Sequence, residues 1–174
     1  MIDLFDKAGN GLIGSKRVRD MKGLKAACYY GCLLVRPQEL IDTDDCEQPD
    51  SMERIVRATG ADVVEWNYRT ECCGAAHSIS RRDIVVDLSK RIIEDALKHG
   101  ANVIIVACPM CHTNLDMRQR VMKRSYPGHR LIPVLYLTEL IGLSLGFTVS
   151  ELGIDLHYVR FNMPGDIMNQ TVHA

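Results

Sequence analysis

Short apolar runs alternate with helical stripes along this chain. Four runs bounded by glycine, proline or polar residues predict buried strands, at residues 24–30, 61–66, 102–107 and 131–136. The third run is a continuous, largely β-branched segment, NVIIVA, which is typical of a central parallel strand buried on both faces. Pro133 indicates that the fourth run lies at a sheet edge or a strand end.

Helical periodicity fills the intervals between these runs. Residues 84–96 carry apolar side chains three and four positions apart, and Gly100 follows as a residue that ends helices. Shorter helices are predicted at about residues 51–60, 109–123 and 139–145. The alternation of strands and helices predicts an α/β fold with a Rossmann-like parallel sheet flanked by helices.

The same pattern divides the chain into three segments. Residues 1–20 are weakly patterned and contain three glycines, so we interpret them as a lead-in or linker. Residues 21–161 form one predicted domain, long enough to bury a core. Residues 162–174 are polar, and we interpret them as a flexible tail.

Composition excludes several classes of function. The 174 residues are 47% apolar and 25% charged, which is ordinary for a globular protein. A net charge of -1 gives no electrostatic reason to expect nucleic acid or an anionic membrane as a partner. The sequence has no apolar run of about 18 residues and no signal-peptide pattern, so we expect no membrane span and a cytoplasmic location.

Six of the seven cysteines occur in three compact motifs. The motifs are CYYGC, ECCG and CPMC, at residues 28–32, 71–74 and 108–111. Between the first and second motifs 39 residues separate the nearest cysteines, and between the second and third 34 do. Each motif is placed at the carboxyl end of a predicted strand, the edge at which parallel sheets bind ligands. In a reducing compartment such grouped thiols indicate a metal centre or redox chemistry rather than structural disulfides.

Residues around the thiols suit a negatively charged centre. Gly74 permits a positive φ and a close backbone approach, and Pro109 suits the first position of a helix whose amides favour negative charge. The adjacent Cys72 and Cys73 are awkward ligands for a single tetrahedral zinc, although four of the cysteines could hold one. CPMC alone also matches a thioredoxin-like dithiol, so iron–sulfur, zinc and dithiol chemistry all remain open on these grounds.

Taken together, the three motifs resemble the CCG cysteine-rich domain family, and they closely resemble the C-terminal CCG domain of the heterodisulfide reductase B subunit and its bacterial relatives. The resemblance spans roughly residues 20–147, and the second spacing is one residue shorter than usual. It implies a noncubane [4Fe-4S] cluster bound by five cysteines, namely Cys32, Cys72, Cys73, Cys108 and Cys111. Three further residues are expected to contribute to cofactor binding through the backbone around the cluster, namely Gly31, Gly74 and Pro109.

The resemblance also implies a function. In the family such clusters contact a disulfide and deliver electrons to it, so we expect an oxidoreductase subunit of a heterodisulfide-reductase-like complex. Its partners would be a ferredoxin-like iron–sulfur subunit and a flavin-containing subunit. Full subunits of the family carry two CCG domains and this chain has one, so a second CCG-domain chain or a homodimer would complete it. An electron relay without its own substrate and a zinc-stabilised interaction module are the alternatives.

Four residues near the motifs have structural explanations as well as functional ones. Cys28 is interpreted as a small buried hydrophobe and Cys46 as an ordinary exposed thiol. His77 and His112 lie close to the cysteines in sequence and could tune the centre or supply a proton. A surface or helix-capping role is favoured for both.

Overall fold

An all-parallel sheet forms the centre of the molecule. The computed structural model describes residues 2, 5–6, 10–36 and 44–168. Within this part of the chain the sheet has four strands in the order β2-β1-β3-β4, and all neighbouring pairs are parallel. The strands are β1 (Lys25–Tyr29), β2 (Asp62–Val63), β3 (Val103–Val106) and β4 (Val134–Tyr136). The predicted α/β class with a parallel sheet is confirmed.

Helices lie on both faces of this sheet. They are α1 (Asn10–Lys16), α2 (Ser51–Ala58), α3 (Arg82–Lys98), α4 (Pro109–Met117), α5 (Gln119–Ser125), α6 (Leu137–Ser144) and α7 (Gly165–Met168), with 3-10 turns at Ala75–His77 and Ile154–Leu156. None of the helices in the described ranges is long and apolar enough to cross a membrane.

Strand alternation separates the core into two layers. One layer, the α2/α6 face, contains Cys28 of β1 and Ile105 of β3 together with apolar side chains of α1, α2 and α6. The other, the α3/α4 face, contains Tyr29 and Ile104 with side chains of α3, α4 and α5. Neighbouring residues of a strand point to opposite faces, so Cys28 and Tyr29 belong to different layers. All four residues of β3 are fully buried, as the β-branched run predicts.

The two outer strands are shorter than the apolar runs that predict them. β4 begins directly after Pro133 and forms one edge of the sheet, in agreement with the position of that proline. β2 forms the other edge and has two residues. The Val64 amide still donates to the Ala26 carbonyl at 2.9 Å; the chain then leaves the ladder, and the indole of Trp66 donates a hydrogen bond to the Cys28 carbonyl at 3.1 Å.

The segments before and after the sheet pack against the α2/α6 face. Ile13 of α1 is 4% exposed and belongs to this layer, and the amides of Val18 and Arg19 donate to the Ser144 carbonyl at 2.9 and 3.0 Å. Ile167 of α7 is buried in the same layer. Residues 169–174 of the predicted tail lie outside the described residues.

A buried polar contact lies behind the first cysteine motif. The Tyr30 hydroxyl donates to the Glu53 carboxylate and accepts a hydrogen bond from the Met52 amide at 2.8 Å. Arg69 Nη1 lies 3.9 Å from the same carboxylate. Burial raises the pKa of Glu53, and the Tyr30 hydrogen bond opposes that shift. The contact therefore joins the end of β1 to α2 at the level of the cysteine motif.

We expect Tyr30→Phe to destabilise the fold by about 1–3 kcal/mol, because it leaves a buried carboxylate oxygen and a buried amide without their partner. Thermal unfolding of the variant at equal metal content measures this loss. Tyr126→Phe is the matched control, because Tyr126 is 36% exposed. Equal melting temperatures for the two variants would contradict a structural role of the Tyr30 hydroxyl.

Candidate metal centre

Five cysteine side chains lie in three segments near the carboxyl edge of the sheet. Cys32 Sγ lies 3.9 Å from Cys72 Sγ, and Cys73 Sγ lies 3.7 Å from Cys111 Sγ. Cys108 interacts electrostatically and by a side-chain hydrogen bond with Cys111. Thiolates bound to one metal at about 2.3 Å in a tetrahedron are roughly 3.8 Å apart, so both close pairs have a spacing that suits shared metal ligation.

The third motif forms the junction between β3 and α4. Cys108 has an extended backbone conformation and directly precedes α4. Pro109 lies in the first turn of α4, as the sequence predicts. The His112 amide donates to the Cys108 carbonyl at 3.0 Å, which closes the first turn. Cys108 and Cys111 are therefore held on one rigid helical turn, 9% and 5% exposed.

The second motif turns sharply so that its two thiols face different environments. Gly74 has a φ of 79° and precedes the 3-10 turn, and its amide donates to Cys72 Sγ at 3.3 Å. Cys73 is 1% exposed, whereas Cys72 is exposed. Adjacent cysteines can thus reach different sides of one centre.

The first motif approaches the third through a glycine. Gly31 has a φ of 63°, and a Cβ at this position would lie 3.0 Å from Cys111 Sγ and 3.3 Å from Cε1 of Tyr29. The amides of Tyr30 and Gly31 both donate to the Arg69 carbonyl, at 2.8 and 3.2 Å. This contact joins the segment of Cys32 to the segment that leads into the second motif.

Hydrogen bonds from neighbouring groups favour the thiolate form of Cys73. The pKa of its thiol is lowered to about 6, chiefly because the Cys111 thiol hydrogen-bonds to it, although burial opposes the shift. The same hydrogen bond and burial raise the pKa of Cys111. Burial, followed by the charge on Cys72, raises the pKa of Cys32. Without a bound cation, the chain therefore stabilises a buried thiolate at Cys73, which suits a metal ligand.

Asn114 contacts the centre, and sequence reasoning missed it. Its amide Nδ2 lies 3.5 Å from Cys73 Sγ as a donor, and the Ser78 hydroxyl donates to its Oδ1 at 3.1 Å. Asn114 is 1% exposed. The signal that could have found it is its position three residues after Cys111, which places both side chains on one helix face.

Tyr29 is a second missed contact of the centre. It packs in the α3/α4 face with three of the cysteines, and its hydroxyl donates to the Glu71 carbonyl at 2.5 Å. Burial, followed by the charges of Cys73 and Cys111, raises the pKa of Tyr29. The ring of Tyr29 therefore packs in the core, while its phenol hydroxyl supports the loop that carries the second motif.

The two cysteines outside the centre have structural positions. Cys28 is fully buried in the α2/α6 face, on the side of the sheet away from Cys73 and Cys111. Cys46 is half-buried and packs against that same layer, so the prediction of an exposed thiol is wrong for this residue. Neither side chain belongs to the α3/α4 face, which contains Cys73, Cys108 and Cys111.

The two histidines next to the motifs differ. His77 is exposed, which fits the predicted surface position. His112 is 8% exposed, so the surface prediction is wrong for this residue. Its ring stacks on Tyr136 with centroids 4.3 Å apart and meets His157 edge-on at 4.4 Å. The C-terminal part of the chain covers it, a long-range contact that no local pattern indicates.

The donor set fits an iron–sulfur centre better than a structural zinc. Structural zinc takes four ligands, and here five thiols lie in the contributing segments. Iron–sulfur clusters are held by cysteine thiolates and are tuned by hydrogen bonds to sulfur, of the kind that Gly74 and Asn114 donate.

Comparison with known proteins defines the class. A family model described as a cysteine-rich domain, CCG, matches residues 26–116, which is just over half of the chain. The chain therefore belongs to the CCG cysteine-rich domain family, as the sequence motifs predict.

Individual relatives are components of named reductases. The chain is 36% identical over 141 residues to the B subunit of the ferredoxin:CoB-CoM heterodisulfide reductase of Methanosarcina mazei, an alignment that covers 79% of this chain and 46% of that protein. It is 33% identical over 141 residues to the 8-methylmenaquinol:fumarate reductase membrane anchor subunit of Wolinella succinogenes, covering 81% and 50%. The chain thus spans about half the length of the curated relatives it matches.

Proposed function

We propose that this chain is the iron–sulfur redox subunit of a heterodisulfide-reductase-like complex, which passes electrons to a disulfide or a similar acceptor. The observation that carries the proposal is the convergence of two close cysteine pairs, 3.9 and 3.7 Å apart, with a fifth cysteine beside them. Membership of the CCG family and similarity to a heterodisulfide reductase B subunit support it.

Five cysteines would hold a noncubane [4Fe-4S] cluster, namely Cys32, Cys72, Cys73, Cys108 and Cys111. When bound, such a cluster supplies single electrons at thiolate-ligated iron. The chain's own residues orient the ligands and donate hydrogen bonds to their sulfurs. Burial of Cys73 and Cys111 excludes water from the inner side of the centre, while the exposed Cys72 marks the side open to an acceptor.

The surroundings of the open side support an assembly with further subunits. Each cysteine segment presents an exposed apolar side chain, and these are Leu33 at 66%, Ile79 at 91% and Met110 at 45% exposure. Exposed apolar side chains mark a protein interface where they join into one patch. A second CCG-domain chain or another copy of this chain would cover it, and ferredoxin-like and flavin-containing subunits would supply electrons.

Metal and sulfide analysis of anaerobically purified protein tests the cofactor. We expect about four irons and four labile sulfides per chain, with an EPR signal after oxidation. One zinc with no labile sulfide would contradict the proposal and favour a zinc-stabilised module. With the cluster present, transfer of electrons to a partner but not to any disulfide would identify an electron relay.

We expect Asn114→Leu to lower the reduction potential of the centre, because the amide donor to Cys73 Sγ stabilises the more negative, reduced state. A hydrogen bond that stabilises the reduced state by about 1.4 kcal/mol more than the oxidised state corresponds to a shift of about 59 mV for a one-electron couple. Anaerobic redox titration followed by EPR measures the shift. Thr113→Ala, on the same helix but hydrogen-bonded to the Pro109 carbonyl, is the control. An unchanged potential in Asn114→Leu would rule out this role.

A further inference from the structure

A second group of metal-binding side chains lies beside α4. His112 of α4, Glu139 of α6 and His157, which follows the second 3-10 turn, each offer one ligand atom, and these atoms lie within 4.8 Å of one another. His157 Nε2 is 3.2 Å from Glu139 Oε1. The group uses none of the cysteines and joins three segments far apart in the sequence.

The three side chains are largely withdrawn from water. His112 is 8% exposed, and the side chains of Glu139 and His157 are 11% and 9% exposed. Burial of ionisable groups is costly unless each is paired or bound to a metal. An ion pair between Glu139 and His157 would offset the cost of burying these two ionisable groups. His157 Nε2 makes this contact, while the other ring nitrogen, Nδ1, is buried and has no hydrogen-bond partner within the described ranges, so the ion pair satisfies the imidazole only in part.

Supporting contacts fix the orientation of the carboxylate and of one imidazole. Glu139 Oε2 accepts a hydrogen bond from the Tyr136 amide at 2.8 Å, and Oε1 faces His157. His112 Nε2 lies 3.1 Å from the Val134 carbonyl, while its ring stacks on Tyr136. Hydrogen bonds of this kind to ligating carboxylates and histidines are characteristic of metal sites.

Asp116 holds the third ligand near the other two. Its carboxylate accepts hydrogen bonds from the amides of Tyr158 and Val159, at 2.7 and 3.0 Å, and Asp116 is 2% exposed. The backbone that follows His157 is thereby fixed to α4. The position of His157 against His112 therefore depends on a second, independent contact between the same two segments.

We propose that His112, Glu139 and His157 form a binding site for one zinc-like divalent cation, separate from the cysteine centre. Two imidazoles and one carboxylate are a ligand set that zinc accepts, with a further position open to water. Ligand atoms about 2.0–2.1 Å from a tetrahedral zinc are roughly 3.4 Å apart. The observed distance between Glu139 Oε1 and His157 Nε2, 3.2 Å, is close to this value.

Titration of the iron-loaded chain with Co²⁺ tests this site. We expect one Co²⁺ per chain, with the visible bands of nitrogen and oxygen ligation and without sulfur-to-cobalt charge transfer. Glu139→Gln and His157→Gln should each weaken Co²⁺ binding at least tenfold and leave the iron and sulfide content unchanged. His77→Gln is the control, because His77 is an exposed histidine outside the group.

The outcomes separate this site from the cysteine centre. Sulfur-to-cobalt charge transfer would place the ion on the cysteines and overturn the proposal, as would unchanged Co²⁺ affinity in both variants or no binding to the unaltered chain. Glu139→Gln retains an oxygen acceptor for the Tyr136 amide, so it tests the ligand role with little disturbance of the fold. Retained iron in the variants shows that they are folded.

Discussion

Replacing Cys73 by alanine is expected to abolish the metal centre, so that anaerobically purified protein carries little or no iron in place of about four atoms per chain. Cys73 is the most buried of the five cysteines, lies 3.7 Å from Cys111 Sγ and accepts a hydrogen bond from Asn114. The hydrogen bond with the Cys111 thiol lowers the pKa of Cys73 to about 6, which favours the thiolate form that ligates a cation. Iron and labile sulfide analysis, with the visible absorption spectrum, measures the loss.

Cys28→Ala is the matched control for this variant. Cys28 is also a fully buried cysteine, but it lies in the α2/α6 face. Removing its sulfur leaves a small cavity that costs about 1 kcal/mol of stability, and we expect iron content to stay at the level of the unaltered chain. Iron retained in Cys73→Ala, or lost equally in both variants, would contradict the assignment of the centre.

Gly31→Ala is expected to reduce iron content several-fold, which is the second largest effect among the substitutions that we predict. A left-handed φ of 63° disfavours alanine by about 1 kcal/mol. The added Cβ would also lie 3.0 Å from Cys111 Sγ, a contact that either displaces the sulfur or moves the turn carrying Cys32. Both movements disturb ligand geometry. Iron analysis after anaerobic reconstitution, together with thermal unfolding, measures the two consequences separately.

Gly128→Ala isolates the steric part of this effect. Gly128 has a φ of 80°, but a Cβ there would meet no atom within 4 Å. The control therefore carries a similar backbone penalty without the contact to a ligand. We expect Gly31→Ala and Gly128→Ala to be destabilised to a similar degree, but only Gly31→Ala to lose iron. This result would support the close approach of the first and third motifs. Equal iron contents would argue against it.

The local sequence was sufficient to predict the elements that carry the cysteines. The β-branched run before Cys108 and the following Pro109 specify a buried strand and a helix start from neighbouring residues alone. The positive φ of Gly74 follows from the same kind of local reasoning. Strand ends and turns are defined by short-range sterics, so the edge at which the cysteines gather could be predicted.

The features that could not be predicted from the sequence depend on contacts between segments that are distant along the chain. Asn114 has an ordinary helical position, and its role appears only when the loop with Cys73 lies against α4. The burial of His112 depends on residues 136 and 157, which cover it from other elements. The outer strand at residues 62–63 is shorter than its apolar run, because Trp66 packs across β1 rather than continuing the ladder.

The positions of the five cysteines also make the centre a cross-link. The five proposed ligands lie between residues 32 and 111, so a cluster bound to them would close two long loops and tie the ends of β1 and β3 to the segment between β2 and α3. Closing such loops restricts the denatured chain far more than the native one, and this raises the free energy of unfolding. Loss of the cluster would therefore speed amide exchange in β1 and β3. Oxygen damage to the centre and unfolding of the domain would then be coupled events.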